Sequence, residues 1–213
     1  MLARHPPADL PTWDDSLPPQ LVVNREAVML ALGSFPRGSS PGGSKLRAQH
    51  LVDAMTGTTM PAALECQNEL TRFVNLLLSG RADRRISPWL VGAPLTGLLK
   101  DSGGLRPIAV GEVFRRLASR LCCTAIKSQL PDLFLPYGQV GAGVRGGLEA
   151  AIHCLRTVFH SQNDDVDMCC LKLDMTNAFN ECSRPTFLRR ARQEFPVTPV
   201  ASMVLPLSWG APL

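Results

Sequence analysis

The feature that most constrains the fold is a pair of short apolar segments on either side of a glycine-containing reversal. Residues 93–110 read APLTGLLKDSGGLRPIAV, and the break between the two segments is DSGG, residues 101–104. Because glycine adopts positive φ angles without a Cβ penalty, this pattern favours a tight reversal between antiparallel strands. We therefore predict a β-hairpin, and the chain is expected to combine helices with β-structure.

Helical periodicity dominates the rest of the chain. Apolar residues recur near the 3.6-residue period, and glycine or proline follows at the expected ends. The pattern predicts helices over residues 21–32 with Gly33 at the end, 44–55 with Ser44 as cap, 61–78 before Gly80, 112–130 before Pro131, 148–160 and 185–195. The first twenty residues and the tail from 197 are rich in proline and are expected to be extended or irregular.

A second apolar segment, MCCLKLD at residues 168–174, ends in a carboxylate and is predicted to be a buried strand. The carboxyl end of a strand is where open α/β sheets bind ligands, so Asp174 is a candidate site residue, although an aspartate there can also cap the following turn. Ala178 is small, and Phe179 would face the same crevice. The amides of Met175, Thr176 and Asn177 are expected to be able to turn toward an anion.

Composition narrows the class of protein. The chain has 213 residues, of which 45% are hydrophobic, so disorder throughout is unexpected. The net charge of +4 favours polyanionic partners without requiring them. Seven cysteines with no C-x-x-C spacing suggest neither a disulfide framework nor a zinc site, so we expect a reducing compartment and no disulfide-linked partner. With no apolar run that could span a bilayer and no signal peptide, we expect an intracellular protein, nuclear or cytoplasmic, with no membrane partner.

Four blocks of the sequence together resemble the reverse transcriptase domain of non-LTR retrotransposons. The block LKLDMTNAFNECSR at residues 171–184 resembles the first palm motif of these RNA-directed DNA polymerases. Residues 98–120, with the core KDSGGLRPI, are similar to the fingers hairpin and the helix after it. Residues 137–153 resemble the segment before the palm aspartate, and residues 34–51 resemble the loop that opens the domain. The blocks are colinear over about residues 30–196.

This resemblance implies an α/β (α+β) fold of the right-hand polymerase type, rich in helix, with a fingers β-hairpin and an incomplete antiparallel palm sheet. It divides the chain into an extended lead-in (1–20), a fingers-like region (21–135), a partial palm with the first catalytic motif (136–196) and a tail (197–213). The partners it implies are an RNA template, a DNA primer and deoxynucleoside triphosphates.

The resemblance also assigns roles to individual residues. Nucleotidyl transfer uses two Mg²⁺ ions, which prefer oxygen ligands. Asp174 would ligate both ions as the catalytic carboxylate, and the backbone carbonyl of Met175 would complete one coordination shell. Phe179 would be the aromatic gate against a ribose 2′-hydroxyl. Arg106 would bind the triphosphate through its forked donors, with Lys100 as a weaker candidate.

Basic residues on two predicted helices are expected to follow template or primer phosphates. For the first helix taken alone, a solvated face is the simpler explanation of its cations. The residues concerned are Arg115, Arg116, Arg120 and Lys127 on one helix and Arg189, Arg190 and Arg192 on the other.

The family's second acidic motif, an apolar-x-Asp-Asp hairpin, does not occur in residues 1–213. Asp164 and Asp165 are adjacent but lie before the palm segment in a polar stretch, so we interpret them as a solvated loop. One carboxylate and one carbonyl cannot hold two dications close together. The chain is therefore expected to be a polymerase fragment that is inactive alone.

Three other interpretations stay open. Gly141, Gly143 and Gly146 satisfy the G-x-G-x-x-G pattern of nucleotide-cofactor enzymes, although that fingerprint needs a strand immediately before it. A non-catalytic nucleic-acid-binding remnant of a polymerase would retain the basic residues. A Cys/His metal site at His153, Cys154 and His160 is disfavoured, because the seven-residue separation of the histidines suits tetrahedral zinc poorly.

Overall fold

The computed structural model describes residues 21–56, 60–80, 82–99, 101, 103–161, 170–175 and 182–194. Within this part, residues 21–124 and 185–194 belong to one compact unit and residues 125–184 to another. The architecture is mixed, with helices and a two-stranded antiparallel sheet, so the coarse α+β prediction is confirmed. Among the predicted site residues, Lys100, Asn177, Ala178 and Phe179 lie outside the described residues.

Helix α1, Arg25–Gly33, opens the first unit. It begins later than the apolar pattern suggests because Asn24 caps it: the Asn24 side chain accepts a hydrogen bond from the Ala27 N–H at 2.9 Å. Val28 and Leu32, one turn apart, are both buried. The apolar spacing therefore predicted the buried face correctly, and the cap determines the first turn.

Helices α2, Ala48–Thr56, and α3, Met60–Leu78, follow. The prediction of α3 is confirmed, and Gly80 beyond its end adopts a positive φ of 68°. The prediction that Ser44 caps α2 is wrong, because α2 begins at Ala48 and Ser44 donates its hydrogen bonds to Glu112 instead.

The core of the first unit lies where α1, α2 and α3 pack with α5, Val113–Ile126. Phe73 and Phe114 meet edge to face with ring centroids 5.1 Å apart. Burial of each large aliphatic side chain contributes about 1.5–3 kcal/mol, which makes this cluster the main source of stability for the unit. The largest fully buried side chains are Val28, Leu32, Val74, Leu78, Val113 and Leu117.

The predicted hairpin is confirmed. Strand β1, Leu95–Leu99, pairs antiparallel with β2, Leu105–Ala109, in a register that sets Leu99 opposite Leu105. Gly103 and Gly104 in the connection have φ angles of 77° and 97°, the left-handed conformation for which glycine is suited. The short helix α4, Ser87–Val91, precedes the hairpin.

Helix α5 is shorter than predicted, and proline explains the difference. Pro131 was expected to end a helix running to residue 130, but α5 ends at Ile126 and a new helix, α6, spans Leu130–Phe134. Because proline lacks an N–H and has a fixed φ, it fits the first turn of a helix, and in α6 Pro131 occupies that first turn.

The second unit contains α6, a 3₁₀ turn at Leu135–Tyr137 and helix α7, Gly147–Ser161. The glycine-rich loop before α7 is preceded by these helical turns, and the described residues place no strand there, which removes the support for the G-x-G-x-x-G interpretation.

Helix α8, Arg184–Glu194, confirms the helix predicted after Pro185.

The predicted buried strand at residues 168–174 is wrong for its described part. Residues 170–175 have no regular structure, and Leu171 and Leu173 are exposed. A strand needs a neighbour to satisfy its backbone groups, and among the described residues only β1 and β2 pair. The expected incomplete palm sheet is therefore not found in the described part of the chain.

No helix within the described ranges has both the length and the apolar character required to cross a membrane. None of the described cysteines forms a disulfide bond.

Candidate nucleic-acid interface

Arg106 lies on a two-stranded ribbon whose side chains are exposed except for Ile108, which is partly buried. It pairs with Leu98 across the hairpin, and alternation along β2 puts it on the same face as Ile108. Arg106 is exposed. A guanidinium presented from a hydrogen-bonded ribbon is held in position by the backbone while its donors remain available to phosphate oxygens.

The loop of residues 34–47 is anchored to the start of α5 by a buried carboxylate. Glu112 is only 6% exposed and accepts two hydrogen bonds from Ser44, one from the backbone N–H at 2.7 Å and one from the hydroxyl at 2.6 Å. Gly42 lies so close that a Cβ there would be 2.8 Å from the Cα of Glu112. The carboxylate therefore sets the path of the loop, and glycine is required for the approach.

Arg116 and Arg120 anchor the beginning of the same loop. The Arg116 guanidinium donates to the Ser40 carbonyl at 2.8 Å, and Arg120 donates to the Ser34 hydroxyl at 3.0 Å. Both guanidinium groups also lie over the buried ring of Phe35, at 5.1 Å and 4.4 Å from its centroid. These cation–π contacts and hydrogen bonds hold the loop against α5.

Arg115 is directed toward a different segment. Its guanidinium donates to the Val91 carbonyl at 3.2 Å and covers Gly111, where a Cβ would collide with it. Burial lowers the pKa of Arg115 below its ordinary value, while the Glu112 carboxylate acts in the opposite direction. Three of the four cations predicted on this helix thus make hydrogen bonds within the fold, and the simple picture of a solvated face does not describe them.

The loop itself presents cations that the sequence interpretation did not single out. Arg37, Lys45 and Arg47 are all exposed. Lys45 has a φ of 65°, an uncommon left-handed conformation for a residue with a side chain. The available signal was the composition of the segment SFPRGSSPGGSKLR, a glycine- and serine-rich stretch that contains three cations and no acid.

The remaining predicted contacts lie elsewhere. Lys127 is exposed just after α5. On α8, Arg189 donates to the Pro185 carbonyl at 3.4 Å, and Arg190 forms an ion pair with Glu194 at 3.4 Å. Whether these side chains also contact nucleic acid stays a prediction.

Asp174 and Met175 are exposed in the second unit. Within the described ranges, no group of three His, Cys, Asp or Glu side chains lies close enough to share a metal ion. The described residues therefore offer Asp174 as a single accessible carboxylate, which does not by itself fit a site for two Mg²⁺ ions. We derive no catalytic step from it.

Comparison with known proteins gives no match to a protein-family model, to a curated protein or to a solved structure.

Proposed function

We propose that the chain is part of an RNA-directed DNA polymerase, and that residues 21–124 form a fingers-like region that binds the phosphates of nucleic acid and of the incoming nucleotide. The observation that carries this proposal is the exposed hairpin with Arg106 on its second strand. The resemblance of the sequence to reverse transcriptases implies a triphosphate-binding arginine at that position.

The anchored loop supports the same proposal. Because Glu112, Arg116 and Arg120 hold residues 34–47 against α5, the loop displays Arg37, Lys45 and Arg47 from a defined backbone. A preorganised cationic loop loses less conformational entropy on binding a polyanion than a free one. Three phosphate contacts on single-stranded RNA would contribute a slope of about −2 to a plot of log K against log salt concentration.

Nucleotidyl transfer requires a polymerase that also carries the second acidic motif. The 213-residue polypeptide contains Asp174 without that motif, so we expect it to bind nucleic acid but not to extend a primer. Primer extension by this polypeptide with Mg²⁺ and deoxynucleoside triphosphates would contradict that expectation.

The binding proposal is tested by measuring RNA affinity over a series of salt concentrations. We expect replacement of Arg37, Lys45 and Arg47 by glutamine to make the slope less negative by about 2. The matched control replaces three other arginines, which are already ion-paired with acids, by glutamine: Arg25, Arg72 and Arg85. This control lowers the net charge equally, so an equal change in slope would show that the effect comes from net charge and not from the loop.

A second candidate function is nucleic-acid binding without catalysis. It needs only the exposed cations of the loop, Arg37, Lys45 and Arg47, and no metal site at Asp174. Salt-dependent RNA binding by the Asp174→Asn variant, at wild-type affinity, is expected under both candidates. The two candidate functions are distinguished by measuring primer extension with a protein that joins this chain to the second acidic motif. Part of a polymerase would be active in that protein, whereas a non-catalytic remnant would stay inactive.

A further inference from the structure

Helix α7 carries a row of large apolar side chains that the fold leaves exposed. Leu148, Ile152, Leu155 and Phe159 are each between 45% and 65% exposed. They recur at spacings of four, three and four residues, so they lie on one face of the helix. A contiguous apolar row of this kind on a folded chain marks an interaction surface.

The spacing identifies the kind of partner that fits. Alternation of four and three residues is the seam pattern of a coiled coil, in which each apolar residue packs between residues of a facing helix. Ala151 and Val158 extend the apolar surface on one flank of this seam. The partner surface is therefore expected to be another amphipathic helix with the same repeat.

The charges on the other flank specify a second copy of α7 in antiparallel orientation. Glu149 and Arg156 lie on this flank, and both are exposed. They are seven residues apart, about 10 Å along the helix, which is too far for an ion pair between them within one copy of α7. In an antiparallel pair related by a two-fold axis, equivalent flanks meet. The alignment that packs Ile152 against Leu155 of the second copy also brings Glu149 close to Arg156 of that copy.

We propose that the apolar face of α7 is the interface of an antiparallel homodimer, with two reciprocal Glu149–Arg156 ion pairs beside a seam of Leu148, Ile152, Leu155 and Phe159. A parallel pair would instead bring Glu149 beside the apolar flank of its partner, where no charge complements it. Since α7 has 15 residues and is about 22 Å long, the interface is short and the dimer is weak and reversible.

The experiment is sedimentation equilibrium of the full chain over a range of protein concentrations. We expect a monomer–dimer equilibrium, and we expect Glu149→Arg or Arg156→Glu to raise the dimer Kd about tenfold, because each change converts two attractive pairs into two repulsive ones. An equimolar mixture of the two variants restores complementary charges on both sides, so the heterodimer should form at least as tightly as the wild-type dimer.

Two controls separate this interface from loss of folding and from net charge. Thr157→Arg adds a positive charge on the opposite, exposed side of α7 and should leave the dimer Kd unchanged. Ile152→Asp should abolish dimerisation, and circular dichroism of each variant checks that helix content is retained. The proposal would be overturned if the wild-type chain stayed monomeric at all concentrations. It would also be overturned if the dimer Kd were unchanged in both charge variants and in their mixture.

Discussion

The most informative perturbation is replacement of Glu112 by alanine. Glu112 connects residues that are 68 positions apart in the chain, since its carboxylate accepts hydrogen bonds from the N–H and the hydroxyl of Ser44. The same carboxylate favours the charged state of the half-buried Arg115. Removal of the Glu112 side chain therefore takes away the acceptor that anchors the loop of residues 34–47.

The expected loss of stability follows from these two bonds. A hydrogen bond to a charged group contributes about 1.5–3 kcal/mol net. Ser44 itself is exposed, so water replaces the lost acceptor, and the full sum of two such bonds overstates the cost. We expect Glu112→Ala to lower the free energy of unfolding by about 3 kcal/mol and Glu112→Gln, which keeps one acceptor, by about half as much.

The assay is urea unfolding followed by far-ultraviolet circular dichroism, combined with Ser44→Ala in a double-mutant cycle. We expect a coupling energy of about 1–2 kcal/mol between Glu112 and Ser44. Glu65→Ala, at an exposed position on α3, serves as a control and should change stability by less than about 0.5 kcal/mol. A cost for Glu112→Ala no larger than that of the control, with no coupling to Ser44, would refute the anchoring role.

Further predictions concern backbone approach, thiol reactivity and the core. Gly42→Ala should destabilise the chain by about 1–3 kcal/mol, because its Cβ would lie 2.8 Å from the Cα of Glu112. Gly43→Ala should destabilise it less, because its Cβ would lie 3.3 Å from a carboxylate oxygen. Urea unfolding of both variants measures the difference. Burial raises the pKa of the Cys122 thiol from 9.0 to about 12, so iodoacetamide at neutral pH should modify exposed Cys123 and spare Cys122, as read by peptide mass spectrometry. Since the folded pKa lies above the unfolded one, stability linked to Cys122 should be intact below pH 9.0 and fall as the pH approaches 12, which denaturant titrations at several pH values test. Leu117→Ala should cost about 2–5 kcal/mol, and a loss below about 1 kcal/mol would mean that this fully buried side chain is not part of a packed core.

Local patterns were sufficient wherever the determinants lie within a few residues of each other. The hairpin followed from the glycines of its reversal, and α3 and α8 followed from apolar spacing and from the positions of glycine and proline. Where the prediction of α5 overran its end, the error was also local, because Pro131 suits the first turn of a new helix as well as the end of an old one.

The candidate interface was only partly predictable. Arg106 was identified by the resemblance to reverse transcriptases; it lies on β2 and is exposed, and its triphosphate-binding role stays a prediction. The expected phosphate contacts of Arg116 and Arg120 stay a prediction, and the structure adds their hydrogen bonds to Ser40 and Ser34, at separations of 76 and 86 residues. No local pattern in the sequence predicts hydrogen bonds between residues so far apart in the chain.

The sequence by itself determined the helical segments, the hairpin and the cationic character of the loop, because turn chemistry and apolar period act over one or two turns of chain. Tertiary structure alone decided which polar groups are bonded to each other, as in the burial of Glu112 against Ser44, and which apolar segments stay exposed, as at residues 170–175 and along α7. The physical reason is that hydrogen-bond satisfaction and apolar burial depend on partners brought together by folding, whatever their distance along the chain.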